Sequence, residues 1–193
     1  MASPLLLIRT GGTIDAKPYS NPKFPPQKIT ALKGDESTVA QLAQELHIPM
    51  HPWTEAEEER FVKDSASYND GDIRALAGVI ALQPQRHILV THGTHFIAPN
   101  AAKIKALLPA HDKTVVFVGA MVPLSMQQHF PSDAKANINY ALECLQAMGA
   151  GVYVIGRDPL TKQPGAFAPE LVEKDHAASL ATLSLVFNLT KLG

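Results

Sequence analysis

Two stretches, "TGGTID" at residues 10–15 and "THGTH" at 91–95, place a threonine directly behind glycine at the end of an apolar run. Glycine lets backbone N–H groups come close to a ligand. A threonine hydroxyl is a weak nucleophile until a base accepts its proton. Thr13 and Thr94 are therefore the first candidates for chemistry, and Tyr19 follows Thr13 six residues on. Lys162 comes shortly after a further apolar run, and a lysine whose pKa is lowered by burial can serve as that base. Backbone N–H groups near Gly12 and Ala120, the latter in "VGAMVP" (118–123), are placed to stabilise a tetrahedral oxyanion. The reaction class that these groups describe is acyl transfer on an amide or ester.

The elements that must position them read as an α/β fold. Four short runs, "LLLIRT" (5–10), "HILVTH" (87–92), "TVVFVGA" (114–120) and "GVYVIG" (151–156), are nearly continuous in aliphatic residues. That is the pattern of parallel strands covered on both faces. Helical spacing fills the intervals at 36–47, 69–83, 98–110 and 132–148, the last with Ser132 or Asp133 as cap and Gly149 beyond its end. The alternation predicts right-handed βαβ units in a doubly wound, mostly parallel sheet with helices on both faces, flavodoxin- or Rossmann-like. In such sheets ligands bind beyond the carboxyl ends of the strands, where the candidates recur. Residues 16–28 carry four prolines and no period, which predicts a long loop acting as a lid. Residues 157–176 also read as loop, and the closing apolar segment reads as docking on the body or on another subunit.

Each candidate also has a plain structural reading. Gly11-Gly12-Thr13 can be a βα turn, Thr94 a helix cap, Tyr19 a surface packing residue and Lys162 a solvated charge. His92-x-x-His95, with His87, His111 or His129, can be read as half of a metal site, but it lacks a second ligand pair at metal-binding spacing. Neither phosphate-binding glycine pattern, GxGxxG or GxxxxGK[ST], is present.

Composition narrows the partners. The formal charge of -1 gives no broad basic field for nucleic acid or anionic membranes. No apolar run approaches the ~18 residues that span a bilayer. The single cysteine, Cys144, reads as a buried thiol on a helix, consistent with a reducing compartment. With no signal-peptide pattern, a cytoplasmic location is expected, with all 193 residues forming one domain.

"TGGTID", "THGTH", "VGAMVP" and "SDAKANINYAL" (132–142) resemble, in order and spacing, the N-terminal domain of bacterial-type L-asparaginases, over roughly residues 4 to 160. "KDSASY" (63–68) resembles their Asp-Ser segment. The resemblance implies an amidohydrolase that needs no cofactor or metal and releases ammonia from a small amide through a threonine acyl-enzyme. It makes Thr13 the nucleophile, Tyr19 its assistant on the flexible loop, Thr94 the second threonine and Lys162 the lysine. Ser65 then holds the substrate carboxylate, Gly12 and Gly93 contribute backbone, and Ala120 lies beside the carboxamide. It also implies a homodimer or homotetramer, here of a short single-domain branch. Two departures stand out: His95 replaces the family's Asp, and Val122 replaces its Arg. With asparagine as the family's default substrate, they point to a substrate other than free asparagine or to a much reduced activity. They also leave open a non-catalytic member that binds a small amide or amino acid.

Overall fold

The computed structural model describes residues 5–22, 29–108, 112–158, 160–161 and 163–190. Strands β1 (Leu5–Arg9), β2 (His87–Thr91), β3 (Thr114–Val118) and β4 (Gly151–Arg157) pair in parallel and in that spatial order. Strand β5 (Pro164–Phe167) adds an antiparallel edge beside β4. Side chains alternate along each strand because the strand period is two. Leu6, Ile8, Ile88, Val90, Val115, Phe117, Val152 and Val154 enter one core, and Leu7, Leu89, Val116, Val118 and Ile155 enter the other. Both faces are dry, as the unbroken aliphatic runs predict.

Helix α1 (Thr38–Glu45) packs on the second core, capped by Ser37, whose hydroxyl accepts the Ala40 N–H at 3.0 Å. Helices α2 (Glu55–Phe61) and α3 (Asp70–Leu82) return the chain across the first core, towards β2. Helix α4 (Ile97–Leu107), between β2 and β3, lies on that first core, whereas α5 (Ala134–Ala147), between β3 and β4, lies on the second. The strands advance in one direction throughout. Two crossovers on opposite faces must therefore have opposite hands, so one of them departs from the right-handed rule expected from sequence. The connections leaving β1 and β3 turn to one face and the connection leaving β2 turns to the other. Their parting opens a crevice at the carboxyl ends of these three strands.

Three further features depart from the sequence reading. Helix α2 carries a capping box, Thr54 with Glu57, but only Phe61 is buried, so apolar periodicity does not reveal it. The 157–176 segment is not simply loop. It holds β5, whose Pro164 opens an edge strand where its missing N–H costs nothing, and β6 (Val172–Lys174). At α5, Asp133 occupies the cap position with its carboxylate turned elsewhere, while Ser132 Oγ accepts the Ala134 N–H at 3.2 Å. Cys144 is buried on α5 as read.

The closing segment docks on the body. Helix α6 (His176–Thr182) links β6 to β7 (Phe187–Leu189), and these two strands pair antiparallel. Phe187 is fully buried, edge-on to Phe167 at 5.7 Å, and packs over Gly156 of β4. Phe187→Ala is expected to cost about 3–5 kcal/mol, the usual range for removing a buried aromatic. Urea denaturation checks this, and a change below 1 kcal/mol would mean that the segment does not belong to the core.

Candidate functional site

A cleft of about 320 Å³ lies in the crevice between the strand ends, lined by Thr13, Tyr19, Ser65, Thr94, His95 and Lys174 among others. Three chain crossings meet behind it almost backbone to backbone. Gly12 has φ 80°, and a Cβ there would overlap Cα and N of Gly93. A Cβ on Gly93 would in turn overlap the Ser65 side chain. The glycines thus bring the β1 end, the β2 end and the 64–66 segment within contact distance, which sets Thr13, Thr94 and Ser65 around one space.

Buried polar networks fix each crossing. Asp15, two residues after Thr13, is fully buried. Its carboxylate accepts Ser37 Oγ at 2.6 Å, Thr38 Oγ1 at 3.1 Å and the Val39 N–H at 3.2 Å, and pairs with Arg9 at 3.3 Å. Arg9 also pairs with Glu58 and donates to the Leu32 carbonyl at 2.9 Å. Beneath Gly93-Thr94, the Thr10 hydroxyl donates to the Thr91 carbonyl. Its oxygen therefore accepts the His92 Nδ1–H at 2.7 Å, which leaves His92 Nε2 to accept from Asn100 at 2.9 Å. Complete burial pushes the His92 pKa down to about 3, so the ring is a neutral strut. On the far side, Asp133 accepts the N–H groups of Met121 at 2.9 Å, Val122 at 3.1 Å and Leu185 at 3.3 Å. That one carboxylate ties the β3 end to the closing segment.

Within the cleft, Lys174 Nζ donates to Thr94 Oγ1 at 2.8 Å. Desolvation, against the pull of Asp133 and Asp64, lowers the Lys174 pKa to about 8. About a tenth is then free amine at pH 7, and in that form the Thr94 hydroxyl can donate to Nζ instead. Tyr19 Oη reaches within 3.5 Å of the Met121 carbonyl, and burial and then Asp133 raise its pKa to about 12. The phenol therefore stays protonated as a donor. Ser65 Oγ accepts the Phe96 N–H at 3.3 Å.

A family model of the asparaginase N-terminal domain matches residues 4–190. The chain belongs to this family. Solved structures agree on the fold. The probable cytoplasmic L-asparaginase from Campylobacter jejuni superposes with a TM-score of 0.72 at 21% identity, over 100% of this chain and 54% of that one. The thermostable L-asparaginase from Thermococcus kodakarensis gives 0.70 at 22%, over 98% and 52%. L-asparaginase I from Vibrio cholerae gives 0.67 at 21%, again over 98% and 52%. The chain thus spans about half the length of these relatives. No curated protein matches it in sequence.

Of the residues singled out from sequence, the cleft brings together Thr13, Tyr19, Ser65, Gly93, Thr94 and His95. Gly12 and Ala120 stand behind it. The Gly12 N–H itself is donated to the Lys63 carbonyl at 3.1 Å, which leaves a neighbouring N–H for the oxyanion role expected near Gly12, and Ala120 is fully buried while its neighbour Met121 lines the cleft. Lys162 and His111 lie outside the described residues. No cluster of three or more metal-ligating side chains occurs among the described residues. His92, half of the sequence-level His pair, has both nitrogens engaged within the core. Sequence reasoning missed Lys174, Asp64 and His176 as cleft residues. Asp64 stood inside the quoted "KDSASY", but Lys174 had no local signal, since β6 exists through its pairing with β7. A larger depression of about 640 Å³ flanks β1 beside Met50 and Trp53, but no Ser, Thr or Lys among the described residues lines it.

Two expectations follow from the crossings. Gly12→Ala combines a left-handed backbone with steric overlap and is expected to cost about 2–5 kcal/mol in urea denaturation. His92 is neutral in the fold down to about 3 but titrates near 6.5 once unfolded. Its contribution is therefore intact above pH 6.5 and is lost as pH falls towards 3, by on the order of a few kcal/mol. Denaturation of wild type and His92→Gln at pH 7 and 4.5 measures this, the variant losing less on acidification.

Proposed function

We propose that the chain carries the amide-hydrolysing site of an asparaginase-type amidohydrolase, with Thr13 as nucleophile and the Thr94–Lys174 pair as its proton acceptor. The observation that carries this reading is the 2.8 Å contact between Lys174 Nζ and Thr94 Oγ1 in the cleft that Thr13 lines. A hydroxyl nucleophile needs an adjacent base, and a desolvated lysine with a pKa of about 8 is suited to accept a proton near neutrality. Thr13 Oγ adds to the amide carbon while its proton passes through Thr94 to Lys174. The C–N bond then breaks, and that proton leaves with the nitrogen as ammonia. Water attacks the resulting threonine ester, releases the acid and restores the hydroxyl. Tyr19, held protonated, donates a hydrogen bond to the reacting groups. Ser65 and Gly93 line the part of the cleft that holds the substrate, a small amide.

His95 favours a second reading, a non-catalytic member that binds such a ligand. Thr13→Ala separates the two. Under the enzyme reading, ammonia release falls at least about 100-fold. Lys174→Arg, protonated throughout, is expected to lose a similar factor, and the wild-type rate should rise with pH through an inflexion near 8. Ammonia release that is absent in wild type, or unaffected by Thr13→Ala, would overturn the enzyme reading.

A further inference from the structure

His95, in the loop from β2 to α4, and His176, the first residue of α6, face each other across the cleft wall. Their ring centroids are 4.9 Å apart, with 58° between planes. Phe96 closes on His95 at 4.6 Å. Both imidazoles line the cleft with Lys174, and all three are donors of zero or positive charge. Desolvation, then Lys174 and His95, push the His176 pKa down. Three carboxylates act on this group. Asp133 pulls on Lys174 and Asp175 raises the His176 pKa, but neither lines the cleft. Asp64 does line it, with Oδ1 accepting the Ala66 N–H at 2.9 Å and Oδ2 the Ile29 N–H at 3.4 Å. A substrate ammonium would have to sit among two imidazoles and a lysine. A substrate carboxylate would find donors there.

We infer that His95 and His176 determine specificity, and that the cleft takes an anionic amide without an ammonium group, a monoamide of a short dicarboxylic acid. This rests on the amide-hydrolysing reading for turnover, but the pocket's preference can be read without turnover. Calorimetry of the full chain compares succinate with aspartate, which differ by one ammonium group. Succinate is expected to bind at least about 10-fold more tightly. His95→Asp should narrow or reverse that ratio, His176→Gln should weaken succinate, and Asp64→Asn should leave succinate favoured. Aspartate binding as well as succinate in wild type, or a ratio unchanged by His95→Asp, would overturn the inference, as would failure of succinate to bind. Ammonia release from succinamate and asparagine provides the second arm. Succinate preference with no ammonia from either amide would overturn the enzyme reading and leave the specificity inference standing. Faster release from asparagine than from succinamate would overturn the specificity inference and leave the enzyme reading standing.

Discussion

The contact on which the site depends is the passage of Gly12 over Gly93, and of Gly93 over Ser65, with no room for a Cβ at either glycine. Polar networks can hold a loop in place, but they cannot bring three backbones this close. Only the missing side chains permit it, and Gly12 also supplies a backbone angle that other residues resist. Thr13, Thr94 and Ser65 therefore share one space as a consequence of packing, before any polar group is considered.

Around that contact the protein uses buried carboxylates as clamps. Asp15 gathers the start of α1 and the Arg9 guanidinium behind Thr13, and Asp133 gathers the β3 end and the closing segment. Each has many partners, which is what makes a buried carboxylate tolerable. His92 does the same work without charge, with both ring nitrogens engaged. Beside these clamps Lys174 is desolvated, which brings its pKa down to about 8, while it still reaches Thr94.

The parallel strands and their helices were legible because doubly covered strands need unbroken aliphatic runs, and the boundaries of β1, β2 and β3 lie within two residues of those runs. Thr13 and Thr94 were legible because glycine and hydroxyl residues recur at strand ends, and Ser65 only through the likeness of "KDSASY" to the asparaginase Asp-Ser segment. Other features had no local trace. The hand of a crossover depends on which face a helix finds, and that is decided by the whole sheet. Lys174 belongs to a three-residue strand that exists by pairing with Phe187–Leu189, so the residues around it read as loop. His176 is a cleft residue only because α6 folds back over the strand ends.

The placement of Lys174 also couples chemistry to chain order. Its strand and the β7 partner come after the whole parallel core in sequence, and the segment is pinned by Leu185 to Asp133 and by Phe187 under β5. Thr13 and Thr94 thus come from the ends of early strands, whereas the amine that meets Thr94 comes from a strand far downstream. The lysine reaches that hydroxyl only where β6 has paired with β7 and the pair has docked on the sheet, so the composition of the cleft depends on a contact made well outside it.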